Sequence, residues 1–246
     1  EGTLVISFMD RASDALSAER KAAFQDQLTR EIRSAPGVAT AVSSTHVPLS
    51  GAMWSHFFRV TGAAGKRRAS RFAYVSPGYF ETLRIPLRSG RDFQDLDNAR
   101  SRRVMVVNES FVRSHLDGVD PLGATVRTLE EPGFPEITYE IIGVVGDTKY
   151  ADLRDENCWC PKAGESMAPI AYVPIAQNPS PYAWAPVIVR SRTPGAAVGG
   201  AIAQRVERLT PGIVMHVSEL KTRVHERLLN ERMVAWLAGV FAILAM

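Results

Sequence analysis

The chain has 246 residues, 46% of them apolar and 22% charged, and a formal net charge of +3 at pH 7. These proportions allow two hydrophobic cores and exclude a disordered tail. Basic residues cluster only at Lys66, Arg67, Arg68, Arg71 and at Arg100, Arg102, Arg103. The sustained stripe that tracks a phosphate backbone is missing, and no nucleic-acid partner is expected.

The chain opens on Glu1 rather than Met, without a signal-like segment, and so reads as a piece of something longer. Thr3 to Phe8 is β-branched and aromatic, fit for a strand. A helix is expected from 13 to 34, because Phe24, Leu28 and Ile32 recur every fourth residue and Pro36-Gly37 stops it. Val38 to Val47 reads as a strand. His56 to Thr61 and Ser70 to Val75 read as a hairpin, and Ser76-Pro77-Gly78 opens a short helix carrying Tyr79, Phe80 and Leu83.

Further along, strands are expected at Arg103 to Val107, Thr125 to Leu129, Tyr139 to Val145 and Ile170 to Val173, with a helix from Glu109 to Leu116 and a surface loop from Asp152 to Pro169. Ala185 to Val189 is a strand. Thr193-Pro194 opens a helix with Val198, Ile202, Val206 and Leu209 on one face, Pro211-Gly212 ends it, and Ile213 to Val217 is the next strand. Strand, amphipathic helix, Pro-Gly, strand therefore occurs twice, with APGVATAV at Ala35 to Val42 and TPGIVMHV at Thr210 to Val217. Two β-α-β halves at the chain ends that share one sheet follow from this, with a second lobe inserted between them.

From Ser218 to Met246 one continuous helix is expected. Leu220, Val224 and Leu228 form its buried face, and an uncharged run begins at Met233, which reads as the opening of a membrane span cut short, the alternative being a buried core helix.

Signatures of catalysis are missing. Gly62 to Lys66 lacks the spacing and the Ser or Thr of a phosphate loop. Gly143 to Gly146 lacks dinucleotide spacing, and His225-Glu226 has no second histidine for zinc. The five histidines have no ligand-like spacing. Asp92, Asp95 and Asp97 lack the Gly and Glu of a calcium loop and read as a solvated acidic turn. Cys158 and Cys160 read either as free thiols or as a strained bridge. No catalytic, cofactor or metal residue is assigned, and no enzyme activity is expected.

Several strings in order resemble the MacB-like periplasmic core domains of ABC transporter permeases, within the FtsX-like group. They are Val75 to Leu83 (VSPGYFETL), Ile85-Pro86-Leu87, Ser89 to Phe93 (SGRDF), Val106 to Phe111 (VVNESF), Asp120 to Gly123 (DPLG) and Ile141 to Asp147 (IIGVVGD). Two departures are Arg84, where a small residue, usually Gly, is common, and the long 152–169 loop.

The resemblance implies an α+β protein. A porter-like lobe would comprise 1–85 and 181–230, a mixed, sabre-like lobe 86–180, and the start of a transmembrane helix 231–246. It implies an inner-membrane protein with this region periplasmic, which couples ATP-driven motion of membrane helices to efflux or envelope substrate handling. Leu220, Val224, Leu228 and Arg232 would form the coupling helix. No cofactor is expected in this chain, because ATP acts at a separate ATPase subunit or domain. Further implied partners are a second permease copy or paralogue, a periplasmic adaptor and an outer-membrane channel. The alternative is a ligand-capturing module that binds a small molecule or peptide between the lobes, with Trp54, Phe57, Tyr182 and Trp184 gathered at the cleft.

Overall fold

The structure is a computed structural model, and it describes residues 2–9, 16–48, 53–61, 66–148, 167–180, 184–193 and 195–222. The first lobe is built from both ends of the chain. It contains β1 (Thr3–Met9), α1 (Ala18–Arg33) and β2 (Val38–Ser43), and then, far along the sequence, β10 (Val187–Ser191), α4 (Gly195–Leu209) and β11 (Val214–Glu219). The four strands pair antiparallel in the order β11-β1-β10-β2. Counting the strands of this lobe from one to four, that order is 4-1-3-2, the ferredoxin-like arrangement of a split β-α-β pair.

Both helices cover one face of this sheet. Leu28 and Ile32 of α1 and Val198, Ile202 and Val206 of α4 are buried against Leu4, Ile6, Ala41, Val187 and Val189. Truncating any one of the buried Leu or Ile side chains to Ala costs about 2–5 kcal/mol. Ser17 caps α1 by accepting a hydrogen bond from the Arg20 N–H, so the helix begins at Ala18 rather than near residue 13. The two Pro-Gly steps are equivalent in backbone, since Gly37 and Gly212 both have φ of 82°. Only Gly37 is also hemmed in: a Cβ there would lie 2.7 Å from Thr193 Oγ1.

The second lobe is a closed barrel. Its strands are β3 (Trp54–Val60), β4 (Arg68–Val75), β6 (Val104–Asn108), β7 (Thr125–Thr128), β8 (Thr138–Val145) and β9 (Ile170–Pro174), with β5 (Leu87–Gly90) attached to β8. The order β8-β6-β9-β4-β3-β7 is closed by a further β7–β8 pairing. Phe58, Phe72, Tyr74, Met105, Val107, Val126, Tyr139 and Ile141 fill its interior, as side chains do in small barrels. Helix α3 (Glu109–His115) packs into that core, and its Phe111 stacks on Phe58 at 5.2 Å.

A third apolar cluster lies between the lobes. Helix α2 (Tyr79–Leu83) places Tyr79 and Phe80 against Val42 and Ile188 of the first sheet and against Ala73, Val106 and Tyr172 of the barrel.

The two-lobe α+β organisation is the expected one. The hairpin β3–β4 pairs into the barrel sheet, whereas the four-stranded sheet takes β1, β2, β10 and β11. β5 was not anticipated: a four-residue edge strand has too little alternation to read. Ser218 and Glu219 belong to strand β11, so the helical turn begins at Leu220 and not at Ser218.

Candidate functional site

Two segments cross between the lobes, and the polar groups at their crossing are mutually satisfied. β2 ends at Ser43, and the chain continues into a bridge between Ser44 and Val75 of the barrel. Ser43 N–H donates to Ser76 Oγ at 2.9 Å, and Ser76 N–H donates to the Ser43 carbonyl at 2.9 Å. Thr45 N–H donates to the Tyr74 carbonyl at 2.9 Å. On the returning segment, Ser44 N–H donates to the Pro186 carbonyl at 3.1 Å.

Helix α1 clamps this crossing. Gln25 is buried, and its Oε1 accepts from Ala185 N–H at 2.8 Å while its Nε2 donates to Ser43 Oγ at 2.9 Å and to the Ala185 carbonyl at 3.1 Å. Thr29, one turn later, bonds Ser43 Oγ at 2.5 Å. A buried polar network with every member partnered is rigid, because any motion leaves a donor or acceptor dry.

His46 sits in the same crossing, buried. Its Nε2 accepts from the Trp54 N–H at 3.2 Å, so Nδ1 carries the proton and donates to Thr45 Oγ1 at 2.9 Å. Burial, with a smaller contribution from His56, pushes the imidazole down to about 4.

Beside the joint lies a cleft of about 690 Å³, with Asp26, Arg30 and Arg33 of α1 on one wall and Asp95, Asn98 and Arg100 on the other. Its charges are largely spoken for. Arg30 pairs with Asp26 at 2.9 Å, and Arg33 donates to the Ala41 carbonyl at 2.9 Å. Arg91 grips Asp97 through both carboxylate oxygens at 2.7 and 2.9 Å and holds that carboxyl below its usual range. The acidic turn at 92–97 is therefore closed by an arginine rather than solvated at Asp97, and among the described residues no group of three potential metal ligands is found.

Of the four aromatics expected at the cleft, the three that are described lie apart, and no aromatic is among the described residues that line it. Trp54 is 53% exposed and lies 6.1 Å from Phe134 on the barrel. Phe57 is on the barrel's outer face beneath the Arg67 guanidinium, 3.7 Å from it. Trp184 packs in the first lobe, 4.6 Å from Phe24 and 5.6 Å from Phe8. Tyr182 lies outside the described residues.

Of the coupling-helix residues, Leu220 is half-buried in the turn that follows β11, and Val224, Leu228 and Arg232 lie outside the described residues, as does the whole apolar run from Met233. Cys158 and Cys160 lie outside them too. Among the described residues no helix is long and apolar enough to cross a membrane.

The joint residues Gln25, Thr29, Ser43 and Ser76 were not anticipated. The available signal was Gln25 and Thr29 at helical spacing, flanking the apolar stripe of Phe24, Leu28 and Ile32. Polar groups on the buried side of a helix need partners, and only the fold supplies them.

Comparison with known proteins agrees with this architecture. The family model described as the MacB-like periplasmic core domain matches residues 2–209. The periplasmic region of MacB from Actinobacillus actinomycetemcomitans superposes with a TM-score of 0.61 at 14% identity, covering 93% of each chain. The extracellular domain of the noncanonic ABC-type transporter YknZ from Gram-positive bacteria superposes with a TM-score of 0.57 at 17% identity, covering 89% of this chain and 99% of that one. A search of curated proteins finds no match. At such identities the superpositions speak to fold alone, and the family rests on the matched 208 residues, from 2 to 209 inclusive. The chain belongs to the MacB-like periplasmic core domain family and is an extracytoplasmic domain of a MacB-like ABC transporter permease.

Proposed function

We propose that this domain is a non-catalytic mechanical coupler: it carries ATP-driven motion of the permease's membrane helices into the extracytoplasmic space, for efflux or envelope substrate handling. The observation that carries the reading is the ladder between β1 and β11. Six consecutive residue pairs, from Leu4↔Glu219 to Met9↔Val214, bring the beginning and the end of the domain side by side at one end of the sheet. A helix that continues from Leu220 acts on the strand that holds β1, with no Gly or Pro between Val214 and Leu220 to absorb the motion.

The joint lies toward the opposite end of that sheet, where Ile6 pairs with Val187 and Val187 with Ser43. Displacement entering at Glu219 reaches the barrel through strands held by ladder hydrogen bonds, through the Gln25 clamp and through the apolar seam at α2. The partners in this reading are an ATPase subunit, a second permease copy or paralogue, a periplasmic adaptor and an outer-membrane channel. Coupling Leu220 to Val224, Leu228 and Arg232 in one helix is part of the proposal.

The test is to express the full-length permease with its ATPase subunit, extract the complex in mild detergent and measure ATP hydrolysis. A stable complex whose hydrolysis changes when Gln25 and Thr29 are both replaced by Ala, with both lobes still folded, supports coupling through the joint. Failure of any ATPase to associate, together with tight ligand binding by the domain itself, replaces the reading with the ligand-capturing one, its ligand held in the polar cleft.

A further inference from the structure

The outer face of the barrel at β3 and β7 carries a cluster that neither core nor joint explains. Arg59 of β3 and Arg127 of β7 are directly opposite in the antiparallel register. Their side chains share a face with Cα atoms about 5 Å apart, a placement in which like charges are destabilising. Arg127 is relieved by Glu136, but among the described residues Arg59 has no ion-pair partner. Two residues before Arg59 on the same face is Phe57, with the Arg67 guanidinium carbon 3.7 Å from its ring centroid. Lys66, Arg59, Arg67 and Arg127 are all exposed. The Arg67–Phe57 stacking contributes about 0.5–1 kcal/mol to the barrel, but nothing in it offsets the placement of Arg59 opposite Arg127.

We propose that Phe57, Arg59, Arg67 and Arg127 form a docking surface for an acidic segment of a partner polypeptide, laid along β3 with carboxylates on the arginines and an apolar group on Phe57. The geometry selects this occupant. A small anion needs donors that converge in a pocket, whereas these guanidiniums stand exposed on the outer face of a barrel, one lying on a ring and one shared with Glu136. Several weak, spaced contacts suit an extended chain, whose alternate side chains repeat at the spacing of Phe57 and Arg59. The permease's own bilayer is disfavoured, since the barrel joins the first lobe toward the end opposite the Leu4–Glu219 pair. This inference rests on the coupling reading only where the bilayer is disfavoured, since that step takes the membrane helix to follow Leu220.

The test uses the 246-residue chain and fluorescein-labelled poly-L-glutamate as the probe, followed by anisotropy over a range of salt concentrations. Phosphatidylglycerol vesicles in a sedimentation assay form the second arm. Arg59→Gln combined with Arg67→Gln is expected to weaken poly-glutamate binding at least about tenfold and to flatten its salt dependence. Removing two exposed charges elsewhere, Arg20→Gln with Arg192→Gln, is expected to change it less than about twofold. Phe57→Ala, which leaves the charge unchanged but removes the ring that holds the Arg67 guanidinium in place, is expected to weaken binding as well. All these positions except Phe57 are exposed, and the circular dichroism of each variant checks that it folds. Absence of poly-glutamate binding, equal losses in the patch and control variants, parental binding by Phe57→Ala, or patch-dependent binding to vesicles in place of the polypeptide each overturns the proposal.

Discussion

The side-chain amide of Gln25 pairs with both main-chain polar groups of Ala185, accepting from its N–H at 2.8 Å and donating to its carbonyl at 3.1 Å. A helix side chain thus takes the place of a neighbouring strand for a segment that is crossing between two lobes. Gln25→Ala leaves the Ala185 N–H and carbonyl and the Ser43 hydroxyl short of a partner inside a buried joint. A loss of about 2–4 kcal/mol in unfolding free energy is expected, from the midpoint of a urea titration. A change below about 0.5 kcal/mol indicates that water replaces the amide and that the joint is not dry.

Gly143 of β8 pairs with Gly90 of β5, and a Cβ at Gly143 would lie 2.5 Å from the Arg91 carbonyl oxygen. That oxygen is main chain and cannot swing aside. Gly143→Ala is expected to destabilise the domain by about 2–3 kcal/mol. Gly200, exposed on α4, is the control: an added Cβ there meets nothing within 4 Å, and Gly200→Ala is expected to stabilise by about 0.5–1 kcal/mol. Thermal melts of the two variants should move in opposite directions.

Arg84 ends α2 with φ of 57° and ψ of 36°, the left-handed cap conformation that glycine adopts at least cost. That explains why a small residue suits the position. Arg84→Gly is expected to raise stability by about 0.5–1 kcal/mol, and the β-branched Arg84→Val to lower it by more than that. Equal melting temperatures for the two variants would show that the cap is not strained.

His46 is held neutral in the fold, at about 4 against an unfolded value of 6.5. Between these two values the unfolded chain binds a proton that the folded chain refuses, so stability falls as pH drops from 6.5 to 4 and the contribution levels off below. The loss amounts to about 3 kcal/mol across the window. His46→Gln keeps an acceptor for the Trp54 N–H without the titration. Its urea midpoint is expected to vary less over this pH range than that of the parent.

Local pattern carried most of the elements. Leu28 and Ile32 at helical spacing, the two Pro-Gly stops and the apolar run of Tyr139 to Val145 all lie where the structure places a helix, two turns that lead into strands, and a strand. The ordered strings that resemble the family map onto identifiable constraints. Asn108 caps α3 through its side-chain oxygen and also holds Ile170 N–H at 2.8 Å, and Asp147 takes the Ser110 N–H and hydroxyl at the same helix end. Gly90 and Gly143 permit the close approach of two strands. Such residues are legible because each is chosen by its own backbone position.

Partnership was not legible. Nothing within Trp54 to Val75 says that this hairpin closes a barrel rather than extending the first sheet, because inward and outward alternation looks the same in either. Phe57 and Trp184 read alike as spare aromatics, although one faces out under an arginine and the other packs in a core. By itself the sequence determined the periodic elements, their stops, the two halves and the family. Tertiary structure alone decided the barrel, the joint at Gln25 and Ala185, and which charges stand unpaired. Periodicity records whether a side chain is buried, a property of its own segment, whereas pairing joins residues such as Gln25 and Ala185 that are 160 positions apart, and only the folded chain brings them within hydrogen-bond reach.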